Sequence, residues 1–284
     1  ASDVYKRQPL TPVAVSGAPY RVAFTAKDNL ALDKIYLIWN INGADDDTIE
    51  VWADSLGKCT AFIEPPPTIS IGDSIGYYIV AIDSATIPNL SNHPETGYYW
   101  VDIVRAVWFD FEMSDGDFSE TAGWEWGIPT AEIGAFSGEK CWATGLHHNY
   151  VSNANYVLET EPFDLSDWNS AALEFQTYYD SEHLYDGGNV WVSSDGGMRW
   201  YVLTPLGGYP TMWVDALREP GLAGNSGGWK KLTFDLTPYM GTAYGHLRFK
   251  FVFKSNGEYN LPGWFIDDFA LLERQIILPP GRLI

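Results

Sequence analysis

The stretch His246-Leu-Arg-Phe-Lys-Phe-Val-Phe-Lys254 decides the fold class. Leu247, Phe249, Phe251 and Phe253 fall on one side of an extended backbone, and Arg248, Lys250 and Lys254 on the other. Side chains alternate across a strand, so this period of two marks a strand with one buried face. Leu232, Phe234 and Leu236 repeat the pattern, as do Leu173, Phe175 and Thr177. About ten such strands over residues 105–275 predict two packed antiparallel sheets, a jelly roll. No amphipathic helix and no internal repeat stands out.

Working outward, residues 9–104 read as a separate, smaller unit. Tyr20–Thr25, Lys34–Ile41, Ile49–Asp54, Cys59–Ile63, Ile75–Ile82 and Tyr98–Val104 alternate in the same way. Turn signals divide them: Asn42-Gly43, Pro65-Pro66-Pro67, Ile71-Gly72-Asp73 and His93-Pro94. This spacing predicts an immunoglobulin-like or fibronectin-like sandwich. The whole chain is therefore expected to be all-β, an Ig-like sandwich followed by a larger jelly-roll sandwich.

Composition agrees. The 27 Gly and 17 Pro of 284 residues are scattered, which leaves little room for long helices. Lys and Arg number 17 against 37 Asp and Glu, a net charge of −20, which argues against nucleic acid as a partner. Aromatics make up 15% of the chain, unlike a disordered acidic tail. No apolar run is long enough to predict membrane insertion by a helix. Ten of the 13 Trp lie beyond residue 104.

Several segments of the second unit, in order, resemble the jelly-roll module of immune inhibitor A-like secreted metallopeptidases, itself similar to the MAM domain. They are Asp110-Phe-Glu112, Trp124-Glu-Trp-Gly127, Ser137-Gly-Glu-Lys-Cys-Trp142 and Leu158 to Asp167. Glu182, Asp186-Gly-Gly188, Val190 to Trp200 and Gly263-Trp-Phe-Ile-Asp-Asp268 follow. The resemblance covers most of residues 107–272 and implies a secreted or cell-surface bacterial protein. It also implies other domains of the same longer chain as partners, an upstream peptidase among them.

Glu112, near the first strand of the module, and Asp267 with Asp268, near the last, form a candidate calcium site. First and last strands of a jelly roll are neighbours, and calcium takes hard oxygen ligands. The resemblance favours calcium there, with Asp110 and Glu139 as further ligands. Ser193-x-Asp195-x-Gly197-x-x-Trp200 fits the Asp-box pattern, S-x-D-x-G-x-x-W, and is expected to be structural. Asp195 bonds amides across a hairpin turn and Trp200 packs beneath it. Glu182 and Asp186 either line a cleft or hold their own loop, and the second role is preferred.

Thr204 to Gly228 reads as a long irregular loop carrying Tyr209 and Trp213. These two, with Tyr185 and Trp126, are the candidate ligand-binding aromatics for a sugar or surface protein. His147-His148 reads as a surface loop pair. The basic row Arg248, Lys250 and Lys254 is expected to pair with acids such as Glu174 or Asp235.

Catalysis is not expected. There is no H-E-x-x-H motif, and Gly224-Asn225-Ser226-Gly227-Gly228 precedes a strand where a nucleophile elbow needs a helix. Cys59 and Cys141 fall in different units and are expected to be buried and free. The expected function is non-catalytic binding or adhesion, with structural support of an upstream peptidase as the alternative. Residues 1–8 resemble a translated sequencing adapter and are expected to be non-native, the gene beginning upstream of Pro9. Residues 276–284 are expected to be a linker or truncated tail.

Overall fold

The computed structural model describes residues 3–5, 13–14, 19–27, 32–121, 123–130, 132–241 and 246–273. The expected tail, 276–284, lies outside the described residues, as do Ala1, Ser2 and Lys6 to Gln8 of the adapter-like segment. The chain divides into two compact units, residues 1–106 and 107–284.

The first unit contains β1 (Asp3–Tyr5), β2 (Val13–Ala14), β3 (Tyr20–Lys27), β4 (Leu32–Ile41), β5 (Asp47–Val51), β6 (Lys58–Ile63), β7 (Ser74–Asp83), β8 (Leu90–His93) and β9 (Tyr99–Val104). One sheet runs β1-β3-β6 and the other β2-β9-β7-β4-β5, with β8 also on β7. The alternation explains the packing: Val22 and Phe24 of β3 meet Leu37 of β4 and Tyr77 and Ile79 of β7 in one buried core. Asn42 and Gly43 take φ of +54° and +76°, as a tight hairpin turn demands. Asp46 braces that loop, accepting from Asn40 Nδ2 at 2.8 Å and from the Tyr98 hydroxyl at 2.9 Å.

The second unit begins with β10 (Ala106–Phe109), β11 (Ser119–Glu120), β12 (Glu125–Gly127), β13 (Cys141–Ala143), β14 (Asn155–Glu159), β15 (Phe163–Asp164) and β16 (Ala172–Asp180). It continues with β17 (Gly187–Ser193), β18 (Tyr201–Leu203), β19 (Thr211–Val214), β20 (Glu219–Gly221), β21 (Lys230–Asp235), β22 (His246–Lys254) and β23 (Gly263–Leu272). Sheet I runs β12-β13-β23-β16-β21 with β10 also on β23; sheet II runs β11-β14-β22-β17-β18 with β15 also on β22. The architecture is the expected all-β sandwich. Leu247, Phe249, Phe251 and Phe253 of β22 are buried, and they meet Phe175, Trp264 and Phe269 from sheet I.

The basic row does not pair as expected. Glu174 and Asp235 belong to sheet I, whereas β22 lies between β14 and β17 in sheet II. The acid opposite Lys250 is Glu159 of β14. It binds Arg248 at 2.9 Å and Lys250 at 3.3 Å, and the Lys250 ammonium sits 3.8 Å above the Trp200 ring. Glu174 instead takes Lys231 and Thr233 of its neighbour β21.

The Thr204 to Gly228 segment is not irregular. It carries the β19-β20 hairpin, whose Val214 and Leu217, with Ala223, pack against Val252 on the outer face of sheet II. Among the described residues, no helix is long and apolar enough to cross a membrane.

Candidate functional site

Three strands of sheet I bring together residues far apart in sequence. Tyr178 of β16 stands opposite Phe265 of β23, and Phe265 stands opposite Ala143 of β13. Their strand neighbours Thr177, Trp264 and Trp142 are buried, so these three side chains point out of the sandwich. Tyr178 packs edge-on against Phe265 at 5.6 Å and lies 6.2 Å from Trp229. Cys141, Leu146 and Ile133 complete this outer apolar cluster.

A cleft of about 410 Å³ opens over the cluster, with Tyr178, Phe265, Pro262, His148, Asp180 and Glu132 among its lining. That volume suits one or two sugar rings, and Tyr178 and Phe265 are set there among polar groups, Thr130, Glu132, His147, His148, Asn149 and Asp180. His148 is fixed from both sides: Nε2 lies 3.1 Å from Glu125 Oε1, and Nδ1 lies 3.0 Å from the Asn149 carbonyl. The Asn149 carbonyl, then Glu125, raises the imidazole above its ordinary range. Glu125 also accepts the Leu146 amide at 2.8 Å; that bond, then His148, holds its carboxyl low. Burial pushes the Asp180 carboxyl up, with partial relief from the Asn225 side chain. Burial, then the charges of Asp180 and Glu132, raises the Tyr178 phenol.

None of the four aromatics chosen from sequence lines this cleft. Tyr209 is buried; its hydroxyl donates to the Leu203 carbonyl and accepts from the Val190 amide, so it serves the core and has no face for a ligand. Trp126 donates its indole N–H to the Phe111 carbonyl at 2.8 Å and carries Lys140 over its ring. Trp213 and Tyr185 are exposed, on β19 and on the loop before β17. The backbone joins their neighbourhoods, since Asp215 and Ala216 donate to the Leu184 and Tyr185 carbonyls. His148 is the exposed loop residue expected from sequence, and it also lines the cleft.

Glu182 and Asp186 have the structural role preferred from sequence, but their carboxylates bind other segments and not the backbone of their own loop. Asp186 is fully buried and accepts from the Tyr150 hydroxyl at 2.8 Å and the Asn256 amide at 2.7 Å. Glu182 accepts from the Asn256 side chain. The Asp-box folds as its pattern predicts. Ser193 Oγ donates to Asp195 at 2.9 Å and accepts from the Gly197 amide; Asp195 takes the Arg199 amide, and the Trp200 indole donates to the Gly197 carbonyl. Gly196 and Gly197 supply φ of +74° and +91° at the turn. Ser226 is buried, and its Oγ accepts the Tyr179 amide at 3.1 Å. Cys59 and Cys141 are both buried and free.

The candidate calcium acids lie where β10 and β23 pair. On β23, two residues, Asp268 and Phe269, stand opposite Phe175 alone, and Asp268 has φ +49°. This is a bulge, a device that re-aims side chains. Asp267 is fully buried: Oδ2 accepts the Phe136 and Ser137 amides, and Oδ1 the Asp268 amide. Asp268 accepts the Ser137 hydroxyl at 2.8 Å. Phe111, at φ +58°, turns the chain so that Glu112 Oε1 accepts the Glu139 and Lys140 amides. Asp110 accepts the Glu112 amide at 3.2 Å, and Glu139 is exposed and joins the cluster through its backbone. Burial and the Asp268 charge push Asp267 up to about 8. Burial, then Asp110 and Glu112, push Asp268 up to about 6. Among the described residues, no three His, Cys, Asp or Glu side chains converge to hold a metal by themselves.

No known family's sequence model matches the chain. It is 23% identical over 295 aligned residues to Bacillopeptidase F of Bacillus subtilis (strain 168), covering 95% of this chain and 18% of that protein. The chain thus spans under a fifth of the length of the curated relative it matches. Among solved structures, a carbohydrate-binding module of the β-sandwich superfamily, studied for promiscuous specificity, overlaps with a TM-score of 0.40 at 14% identity, over 96% of this chain and 98% of that one. The K1 cleaved adhesin domain of Lys-gingipain from Porphyromonas gingivalis W83 overlaps with a TM-score of 0.36 at 18% identity, over 60% and 98%. SGBP-B of Bacteroides uniformis, from a xyloglucan utilization locus, overlaps with a TM-score of 0.37 at 13% identity, over 96% and 73%.

Proposed function

We propose that this chain is a non-catalytic binding region of a secreted or cell-surface bacterial protein, with a glycan held in the cleft on sheet I. The observation that carries the reading is the cleft, in which Tyr178 of β16 and Phe265 of β23 lie beside His148 and Asp180. Apolar ring faces take the C–H face of a sugar, and fixed polar groups set its orientation. Tyr178→Ala is expected to weaken glycan binding at least tenfold, while Trp213→Ala leaves it within twofold. The full chain on a glycan array, followed by titration calorimetry with the best ligand, measures this. No binding across polysaccharides and mucins would sink the glycan reading.

A second reading has this region support a peptidase, as a MAM-like module of the immune inhibitor A type. The alignment with Bacillopeptidase F favours it, because nearly the whole chain aligns with part of a peptidase. An intact parent whose peptidase loses heat stability when residues 107–273 are deleted would support that reading.

Structural calcium is part of the proposal, with Asp268, Glu112 and Asp110 supplying the charge. The two raised carboxyls give the test its sign. A carboxyl whose folded pKa exceeds its unfolded value favours the folded state when protonated, and that stability is lost as pH rises through both values. In chelator, the second unit is therefore expected to melt higher at pH 5 than at pH 8.5, the loss falling between about pH 4 and pH 8. Calcium is expected to raise the melting temperature most at pH 8.5. An unchanged melt in excess chelator, with Glu112→Ala neutral, refutes the ion.

A further inference from the structure

The chemistry of the cleft restricts what sugar it can hold, an inference that rests on the glycan-binding reading above. We infer that the cleft admits an uncharged sugar and turns away uronates and sulfated or sialylated glycans.

The lining residues carry the argument. Two carboxylates, Glu132 and Asp180, line the cleft, and no Lys or Arg is among the described residues lining it. Both lie close enough to the Tyr178 hydroxyl for their charges to act on it. An anionic sugar set on that ring brings a third negative charge into a partly desolvated space, where like charges repel far more than in bulk water. An uncharged sugar brings hydroxyls instead. A carboxylate has two acceptor oxygens, and two neighbouring hydroxyls of a pyranose can donate to both.

The basic side chains that could reverse this, His147 apart, already have partners. Both nitrogens of His148 are engaged, by Glu125 and the Asn149 carbonyl. Arg248 and Lys250, the obvious grip for a uronate, lie on sheet II and are bound to Glu159 and to the Trp200 ring. His147 is exposed and also lines the cleft, and the test is run at pH 8.

The full chain is titrated at pH 8 with uncharged oligomers of glucose, galactose and xylose, and with oligogalacturonate, heparin and sialyl-lactose. The expected result is binding of at least one uncharged oligomer and none of the acidic ones. Asp180→Asn, which keeps the shape and the Asn225 neighbour, is expected to weaken that binding at least tenfold with the fold unchanged by circular dichroism. Binding of an acidic oligomer that Tyr178→Ala abolishes would overturn the selectivity and leave the glycan site standing. Uncharged binding untouched by Asp180→Asn and Tyr178→Ala would put the sugar elsewhere and overturn the inference. No binding of any oligomer would overturn both this inference and the glycan reading beneath it.

Discussion

Gly188→Ala is expected to destabilise the second unit by about 3 kcal/mol, the upper end of the usual cost of overpacking. At the size of this unit that is a fall of roughly 10 °C in melting temperature. Gly188 sits on β17 opposite Phe253 of β22, with its Cα facing the interior. A methyl group there would meet the six-membered ring of Trp264 at 2.2 Å and 2.6 Å. Trp264 has nowhere to go. It is fully buried, packed against Trp124 at 5.4 Å and Phe251 at 5.8 Å, with its indole N–H on Thr177 Oγ1 at 2.7 Å. The backbone is equally fixed, since Gly188 exchanges two amide bonds with Leu222.

A double-mutant cycle isolates the cause. Trp264→Phe alone costs stability by emptying volume and freeing Thr177. Added to Gly188→Ala, it removes ring atoms that the methyl would strike, so the pair is expected to cost clearly less than the sum. Thermal melts of the four proteins give the coupling. Strict additivity would mean that the methyl is accommodated by some other movement, and the Gly188–Trp264 fit would lose its explanatory value.

That pair also marks where sequence reading succeeds and where it stops. The Asp186-Gly-Gly188 motif was visible as a motif, but its partner Trp264 lies on the other sheet. The β22 alternation was legible because a strand's two faces are written in consecutive residues. The Asp-box was legible for the same reason, all of its bonds falling between Ser193 and Trp200.

The cleft was not legible. Tyr178, Phe265 and Ala143 share a face only because β16, β23 and β13 are neighbours, a fact of topology. Tyr209 shows the converse error. A tyrosine in a long connection looks available, yet its phenol caps two backbone groups of sheet II. The basic row failed on the same ground: its facing acid depended on which strand stood beside β22. Placing the acids near both ends of the module together succeeded because terminal strands of a jelly roll adjoin. The amides that hold those acids come from Phe136 and from the Ser137 to Trp142 segment, whose backbone rather than side chains makes the bonds, and a motif of side chains does not show that.

Asp186 offers the sharpest separation of a hydrogen-bonding role from a charge. Asp186→Ala is expected to cost about 4 kcal/mol, because it leaves the Asn256 amide and the Tyr150 hydroxyl short of a buried acceptor, at about 1–3 kcal/mol each, and opens a void. Tyr150 retains the Tyr259 carbonyl at 3.0 Å, which keeps the loss below the maximum. Asp186→Asn behaves differently. Its oxygen still accepts the Asn256 amide, and its NH2 can donate to a Tyr150 hydroxyl that turns its own proton to Tyr259. The charge is what differs. Burial raises the Asp186 carboxyl above its ordinary range despite both bonds, so ionisation costs the native state free energy at neutral pH. By the same sign as before, that contribution favours the folded wild type at low pH and is lost as pH rises through the unfolded and then the folded pKa. Asp186→Asn carries no such term. Relative to wild type, it should gain stability steadily from pH 4 upward and come within about 1 kcal/mol at pH 8. Chemical denaturation at the two pH values decides it. An Asn variant as damaged as the Ala variant at pH 8 would show that this loop needs the negative charge itself, and Asp186 would then have to be regarded as a counter-charge to something bound.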